Sequence, residues 1–337
     1  MKALVTGATG FIGSHLVDRL LERDDAVRAL VRPSSDVSYL EERGVELVRG
    51  DITDPASLPA ALAGIDVVYH AAAQVGDWGP WRDFEAVTID GTRNVLEATA
   101  RAGVPRFLHV STDGVYAHRY LGKRMTEETP LETRFAWWDY YRRSKLAAER
   151  LAWRYHEDGR LAMSAVRPGL VLGERDRATL PGMVAFLRSG SAMYFGDGHN
   201  RLPCGYAGDV ADACLLAAAE EGAAGQAYNA GSQETVTQRD LFAAIAEESD
   251  LALPKRSLPL PIGHGLALAM ETISVLRGRR TRPSLTRMAV TLIAGDYLED
   301  AGKAERELGW RAQTPMREAV RRAVEWQRAA QPQAASG

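Results

Sequence analysis

Apolar residues along this chain fall into two alternating patterns. Short continuous runs, of the kind a strand buried on both faces requires, occur at Lys2-Ala3-Leu4-Val5, Ala26-Val27-Arg28-Ala29-Leu30-Val31 and Val45-Glu46-Leu47-Val48. Further runs follow at Val67-Val68-Tyr69-His70, Phe107-Leu108-His109-Val110 and Ser164-Ala165-Val166. Between them apolar positions recur at helical spacing, over 14–21, 84–102 and 137–156. Asp54-Pro55 opens another helix, with Asp as cap and Pro at its first position, and Gly103 closes the stretch 84–102. Such alternation implies right-handed crossovers and an α/β fold with a doubly wound parallel sheet. After Pro168 the alternation lapses, a helix over 209–221 returns to the sheet, and helices dominate from Val236 onward. No internal repeat is present.

Three glycines sit where the first strand meets the first helix, in Thr6-Gly7-Ala8-Thr9-Gly10-Phe11-Ile12-Gly13. Gly7 permits a tight turn, Gly10 lets a phosphate approach the backbone, and Gly13 lets the helix pack close to the sheet. The helix N-terminus then offers N–H groups and a positive dipole end to a pyrophosphate. A glycine triplet alone is weak. Placed after a strand and before a helix, it predicts dinucleotide binding. Ligands on such sheets lie outside the carboxyl ends of the strands. Residues 7–13, Arg32, Asp51, Ala71 to Ala73, Ser111 with Thr112, and Pro168 all follow strands, so one cleft collects them. The expected division is residues 1–168 plus about 206–235 as the nucleotide-binding part. About 169–205 and 236–330 form a smaller, mostly helical substrate lobe, and 331–337 a frayed tail.

Composition narrows the classes. The 337 residues are 46% hydrophobic and carry a formal charge of −3, so no basic field points to nucleic acid. Cys204 and Cys214 lie outside any CxxC spacing and read as buried free thiols, and the seven histidines form no metal-ligand pattern, so no metal is expected. No charged and apolar leader precedes the first strand, and the apolar stretch 258–276 is interrupted by Pro259, Pro261, His264 and Glu271. A cytoplasmic protein without a membrane span is the expectation.

Tyr141-Arg142-Arg143-Ser144-Lys145 lies in a helical stretch, and a spacing of four puts phenol and ammonium on one face. A nearby cation favours phenolate and lowers its pKa, which makes Tyr141 a candidate general acid/base with Lys145 as its tuner and a ribose contact. Chance produces this spacing often enough that it only suggests the role. Thr112 strengthens it, because its hydroxyl follows a strand at the same sheet edge. Ser111 beside it points the other way by alternation.

The motifs Thr6 to Gly13, Gly50-Asp51, His70-Ala71-Ala72-Ala73, Asp90-Gly91-Thr92-Arg93-Asn94-Val95 and Ser111-Thr112-Asp113-Gly114-Val115-Tyr116 come in a familiar order. Tyr141-x-x-x-Lys145, Arg167-Pro168-Gly169 and Asp209-Val210-Ala211 complete it. Over roughly the first 230 residues the chain resembles the extended short-chain dehydrogenases/reductases of the NAD(P)-dependent epimerase/dehydratase superfamily. The resemblance implies a Rossmann-type fold, bound NAD(P), and a catalytic set of Thr112, Tyr141 and Lys145. It implies that Gly7, Thr9, Gly10, Phe11, Ile12 and Gly13 hold the pyrophosphate, and that Asp51 and Ile52 flank the adenine. Ala71, Ala72 and Ala73 would line the path to the nicotinamide, Ser111 and Pro168 would be further cofactor contacts, and a homodimer is implied as well. Thr88 and Ala117 depart from the family pattern, which commonly carries Asn and Gly there.

An acidic side chain after the second strand bonds a ribose 2′-OH, whereas Arg accommodates a 2′-phosphate. Arg32 takes that place in Arg32-Pro33-Ser34-Ser35-Asp36, so NADP, as NADPH, is favoured over NAD. Val31-Arg32-Pro33 is similar to the dihydroflavonol-reductase-like branch. Gly76-Asp77-Trp78-Gly79-Pro80 and Lys303-Ala304-x-x-Glu307-Leu308-Gly309-Trp310 resemble the 3β-hydroxysteroid dehydrogenase branch, with its 2-alkyl-3-oxoalkanoate reductases. The reading is an oxidoreductase that interconverts a ketone and a secondary alcohol on a bulky, mostly apolar substrate, walled by Trp78, Trp81 and 258–276. The alternative is a sugar-nucleotide epimerase or dehydratase with tightly bound NAD, whose diphosphate would want converging basic side chains; Arg201, Arg277, Arg279, Arg280 and Arg282 could serve, although the last four read rather as a solvated turn.

Overall fold

The computed structural model describes residues 1–278 and 282–330. Arg279, Arg280 and the tail expected to fray lie outside the described residues. Seven strands form the central sheet: β1 (Lys2–Thr6), β2 (Ala26–Val31), β3 (Glu46–Arg49), β4 (Val67–His70), β5 (Arg106–Val110), β6 (Ala162–Arg167) and β7 (Ala227–Asn229). They are all parallel and lie in the order β3-β2-β1-β4-β5-β6-β7. The chain runs outward from β1 to β3, then returns to β4 on the other side. The resulting reversal between β1 and β4 opens a crevice at the strands' carboxyl ends. This is the α/β Rossmann-type sheet that the strand–helix alternation predicts. β7 has only three residues and pairs with β6 alone, so no apolar run announces it.

The helices of eight or more residues are, in chain order, α1 (Phe11–Glu22), α2 (Gly91–Ala102), α3 (Tyr140–Glu157), α4 (Thr179–Arg188) and α5 (Ala207–Ala219), then α6 (Gln238–Ser249), α7 (Leu260–Leu276), α8 (Arg287–Ala294) and α9 (Met316–Ala330). Alternation along β1 divides the core. Ala3 and Val5 join Leu16, Leu20, Val210 and Cys214 of α1 and α5 on one face, while Leu4 joins Val95, Leu96, Leu151 and Ala152 of α2 and α3 on the other. A separate apolar cluster holds the lobe together, with Leu180 and Val184 of α4, Phe242 and Ile245 of α6, Val290 of α8 and Val320 of α9.

The expected helices 84–102 and 137–156 begin later than the sequence suggests. The stretch 84–102 contains a π-helical segment, Glu85–Asp90, before α2 begins at Gly91. The widened turn brings the Thr88 hydroxyl within 3.0 Å of the Gln74 N–H, from which it accepts a hydrogen bond. α3 starts at Tyr140 rather than at 137, because Asp139 adopts a non-helical conformation and ties its carboxylate to Arg142 one turn on, at 2.9 Å.

Candidate active site

The glycine loop is fixed by close approach. Gly7 has φ +74°, and a Cβ there would lie 2.8 Å from the Ala72 nitrogen in the loop after β4. A Cβ on Gly13 would sit 2.0 Å from the Gly7 carbonyl oxygen. The Gly10 N–H closes the turn onto that same carbonyl at 2.9 Å. Gly10 is also the N-cap of α1, and no side chain caps the helix. A twelve-residue helix therefore opens toward the crevice without a side-chain acceptor, which fits a pyrophosphate.

At the end of β5 the two neighbouring hydroxyls diverge as alternation predicts. Ser111 turns inward and donates to the buried Glu149 carboxylate of α3, which also receives Trp153 Nε1 at 3.0 Å and the guanidinium of Arg167 on β6. Thr112 faces the crevice, accepts from the Gly114 N–H at 3.2 Å, and meets the phenol of Tyr141. Lys145 is buried one turn further along α3, with Nζ donating to the Val110 carbonyl at 2.6 Å. The expected lowering of the Tyr141 pKa is not found. Burial pushes the phenol up to about 12, the Thr112 contact opposes the rise, and the Asp113 charge adds to it. Burial pulls Lys145 down to about 8 against the attraction of Glu149. The ammonium donates to a backbone carbonyl of β5 rather than to the phenol, and the phenol's burial outweighs its Thr112 contact.

Every residue expected to touch the cofactor, except the buried Lys145, lines one cavity of about 730 Å³ between the sheet edge and the lobe, and Thr112 lines it too. At one end Arg32 is exposed at the tip of β2, and its carbonyl is held by Arg49 Nη1 at 3.2 Å. Asp36 is spent on its own turn, accepting from the Ser38 N–H at 3.1 Å and hydroxyl at 2.8 Å. The Asp51 carboxylate accepts from the Thr53 N–H and hydroxyl, both at 2.9 Å, and the Ile52 carbonyl is held by Asn94 of α2 at 2.9 Å. At the other end Met183 and Phe186 of α4, Phe195, Phe242 of α6, and Met288 and Leu292 of α8 form an apolar wall. The six come from four separate stretches, which meet only in the fold. Arg142 also lines the cavity, and its guanidinium is committed to the carbonyls of Gly114 and Tyr116 and to Asp139.

The walls expected from Trp78, Trp81 and 258–276 are not there. Trp81 packs edge-on to Tyr140 at 5.6 Å, outside the cavity, and Trp78 is not among the lining residues either. The stretch 260–276 is α7, a surface helix. Of the arginines that could serve a diphosphate, Arg201 is paired with Asp296 at 2.6 Å and Arg282 with Asp77 at 2.7 Å, while Arg277 is exposed beyond α7.

A reversed parallel sheet with a glycine-rich turn at its crossover defines a Rossmann dinucleotide-binding protein, and the Thr112, Tyr141, Lys145 arrangement places it among the short-chain type. Residues 3–231 match the profile of the NAD dependent epimerase/dehydratase family, and the chain belongs to that family. It is an NAD(P)-dependent oxidoreductase of the extended short-chain type. It is 30% identical over 332 residues to a 2-alkyl-3-oxoalkanoate reductase of Stenotrophomonas maltophilia, covering 96% of this chain and 98% of that protein. It is 30% identical over 322 residues to a 3 beta-hydroxysteroid dehydrogenase/Delta 5→4-isomerase of Mycobacterium tuberculosis, covering 92% and 85%. Among solved structures it is similar to MoeE5 in complex with UDP-glucuronic acid and NAD, with TM-score 0.73, 26% identity, and 98% and 100% coverage.

Proposed function

We propose that this chain is an NADP(H)-dependent reductase, interconverting a ketone and a secondary alcohol on a bulky, mostly apolar substrate. The observation that carries this reading is the cavity itself. The hydroxyls of Thr112 and Tyr141 meet at its sheet edge, and six apolar side chains close its far end. Apolar burial contributes about 25 cal/mol per Å², so such a wall suits an alkyl or polycyclic body. The names of the two curated relatives point the same way.

A bound nicotinamide supplies or accepts a hydride. The chain's own residues do the rest. The glycine loop with Thr9, Phe11 and Ile12 holds the pyrophosphate at the start of α1. Asp51 and Ile52 flank the adenine, Ala71 to Ala73 and Pro168 line the way to the ring, and Arg32 meets the 2′-phosphate. Thr112 donates to the substrate oxygen. Tyr141, kept neutral by burial, is already in the form that gives a proton during reduction. Lys145 would reach the ribose with the ammonium N–H groups that the Val110 carbonyl leaves free.

A sugar-nucleotide epimerase is the competing reading, since MoeE5 is described with a UDP-sugar. The pairing of Arg201 and Arg282 with carboxylates speaks against it. The decisive test follows the absorbance of added NADPH with long-chain 3-oxo and steroid-like ketones beside UDP- and dTDP-sugars. NADPH consumption with the apolar ketones alone is expected. Epimer formation without NADPH consumption overturns the proposal.

A further inference from the structure

α7 is built inside out. Its inward face is small and polar, with Gly263, Ala267, Glu271 and Ser274 buried against the lobe. Glu271 accepts from the Arg287 backbone N–H and ion-pairs with the Arg287 guanidinium of α8, both at 2.7 Å. The outward face is apolar: Ile262 is 56% exposed, Ile273 47% and Leu276 80%, with Leu266, Leu268 and Val275 also exposed. The hydroxyl on that face, Thr272, returns its hydrogen bond to the helix's own Leu268 carbonyl at 2.7 Å. A water-facing helix shows the opposite arrangement. Beside α7, Arg287 stacks over the ring of Trp137, which is 72% exposed. A contiguous exposed apolar surface of this kind marks an interaction site.

Charge selects the occupant. Lys255 and Arg256 are exposed just before α7, and Arg277 is exposed just after it. From 251 to 278 Glu271 is the one acidic residue in the sequence, and it is turned inward and paired. Two copies laid face to face through α7 would bring like charges together in either orientation. Antiparallel packing sets Arg277 against Lys255 and Arg256, and parallel packing sets each end against itself. An anionic bilayer meets the same pattern favourably, with apolar side chains below the headgroups and cations among them. No helix among the described residues is long and apolar enough to cross a membrane. We infer that α7 is a docking helix that lies in the surface of an anionic lipid bilayer. This assignment does not depend on the reading of the cavity, although α7 packs on α8, whose Met288 and Leu292 line it.

The test is co-sedimentation of the full chain with vesicles of equimolar phosphatidylglycerol and phosphatidylcholine, beside vesicles of phosphatidylcholine alone. Wild type is expected to pellet with the anionic vesicles and much less with the neutral ones. Ile262→Gln/Leu266→Gln/Ile273→Gln/Leu276→Gln is expected to stay in solution with an unchanged melting temperature and unchanged NADPH binding. Lys255→Gln/Arg256→Gln/Arg277→Gln is expected to bind anionic vesicles more weakly, by about fivefold per charge. Sedimentation velocity without lipid is expected to give the same mass for wild type and the apolar-face variant. Wild type left in solution by both vesicle types overturns the proposal. So does a wild-type oligomer that the apolar-face substitutions dissociate, since the face is then covered by a second copy.

Discussion

Tyr141 and Lys145 stand one helical turn apart, yet burial sets their protonation more than their mutual distance does. With the phenol pushed up to about 12, Tyr141 is a proton donor at neutral pH. Tyr141→Phe should therefore lower the rate of ketone reduction by about 10²–10⁴ while NADPH still binds, as steady-state rates and fluorescence titration would show. Lys145 in the free protein is held down to about 8, so it loses its proton as pH rises through that value. A dinucleotide that accepts a hydrogen bond from the ammonium prefers the protonated form, and its binding takes up protons. NADPH affinity should be level below about pH 8 and fall above it. Lys145→Met should bind more weakly and lose that slope. Calorimetric titrations on both sides of pH 8 check the sign, and a flat wild-type profile contradicts it. Arg32→Asp should weaken NADPH roughly ten- to hundredfold and leave NADH less affected, because a charge-assisted phosphate contact contributes about 1.5–3 kcal/mol.

Among the elements, the β1–α1 turn and the β5–α3–β6 junction carry the site. The first has no room for a side chain at Gly13, where a Cβ would meet the Gly7 carbonyl at 2.0 Å. Gly13→Ala should cost about 1–3 kcal/mol of stability through overpacking and should abolish nucleotide binding by tilting α1 away from the loop. The second junction is held by Glu149, fully buried and bonded to Ser111, Trp153 and Arg167. The pair fixes the helix that carries Tyr141 and Lys145 against the strand that carries Thr112. Arg167 first among its partners holds the Glu149 carboxyl below its usual range against the cost of burial. Its folded pKa is thus below its unfolded one, so the stability it contributes is present above about pH 4.5 and fades as pH falls through the folded value. Glu149→Ala should cost about 3–5 kcal/mol in urea unfolding, because it strands the Arg167 charge in the core.

For the molecule as a whole, the cavity joins two separately packed apolar clusters, one under the sheet and one in the lobe. A ligand that spans them should stabilise both. At one hundred times its Kd, NADPH should add about 2.7 kcal/mol to the unfolding free energy, and NADH at the same concentration should add less. Thermal melts with each nucleotide measure the difference. An equal shift at equal concentration would remove the argument for Arg32 as a phosphate ligand.

The sequence by itself determined six of the seven strands of the parallel sheet, the crevice at its carboxyl edge and the residues that line the glycine-loop end of the cavity. Those features are local. Buried parallel strands need continuous apolar runs, alternation separates Ser111 from Thr112, and a glycine is needed wherever a Cβ would strike the neighbouring loop. The tertiary structure decided what local pattern cannot encode. The apolar wall formed by Met183, Phe186, Phe195, Phe242, Met288 and Leu292 gathers side chains from four separate stretches, and helical spacing links them only within α4 and within α8. The protonation of Tyr141 and Lys145 depends on how deeply each is enclosed and where each hydrogen bond is directed, not on their spacing of four. The stretch 258–276 makes the same point. Its composition reads as a buried wall, but burial depends on which face packs. Here the small residues and Glu271 turn inward to α8 and leave the leucines and isoleucines outside.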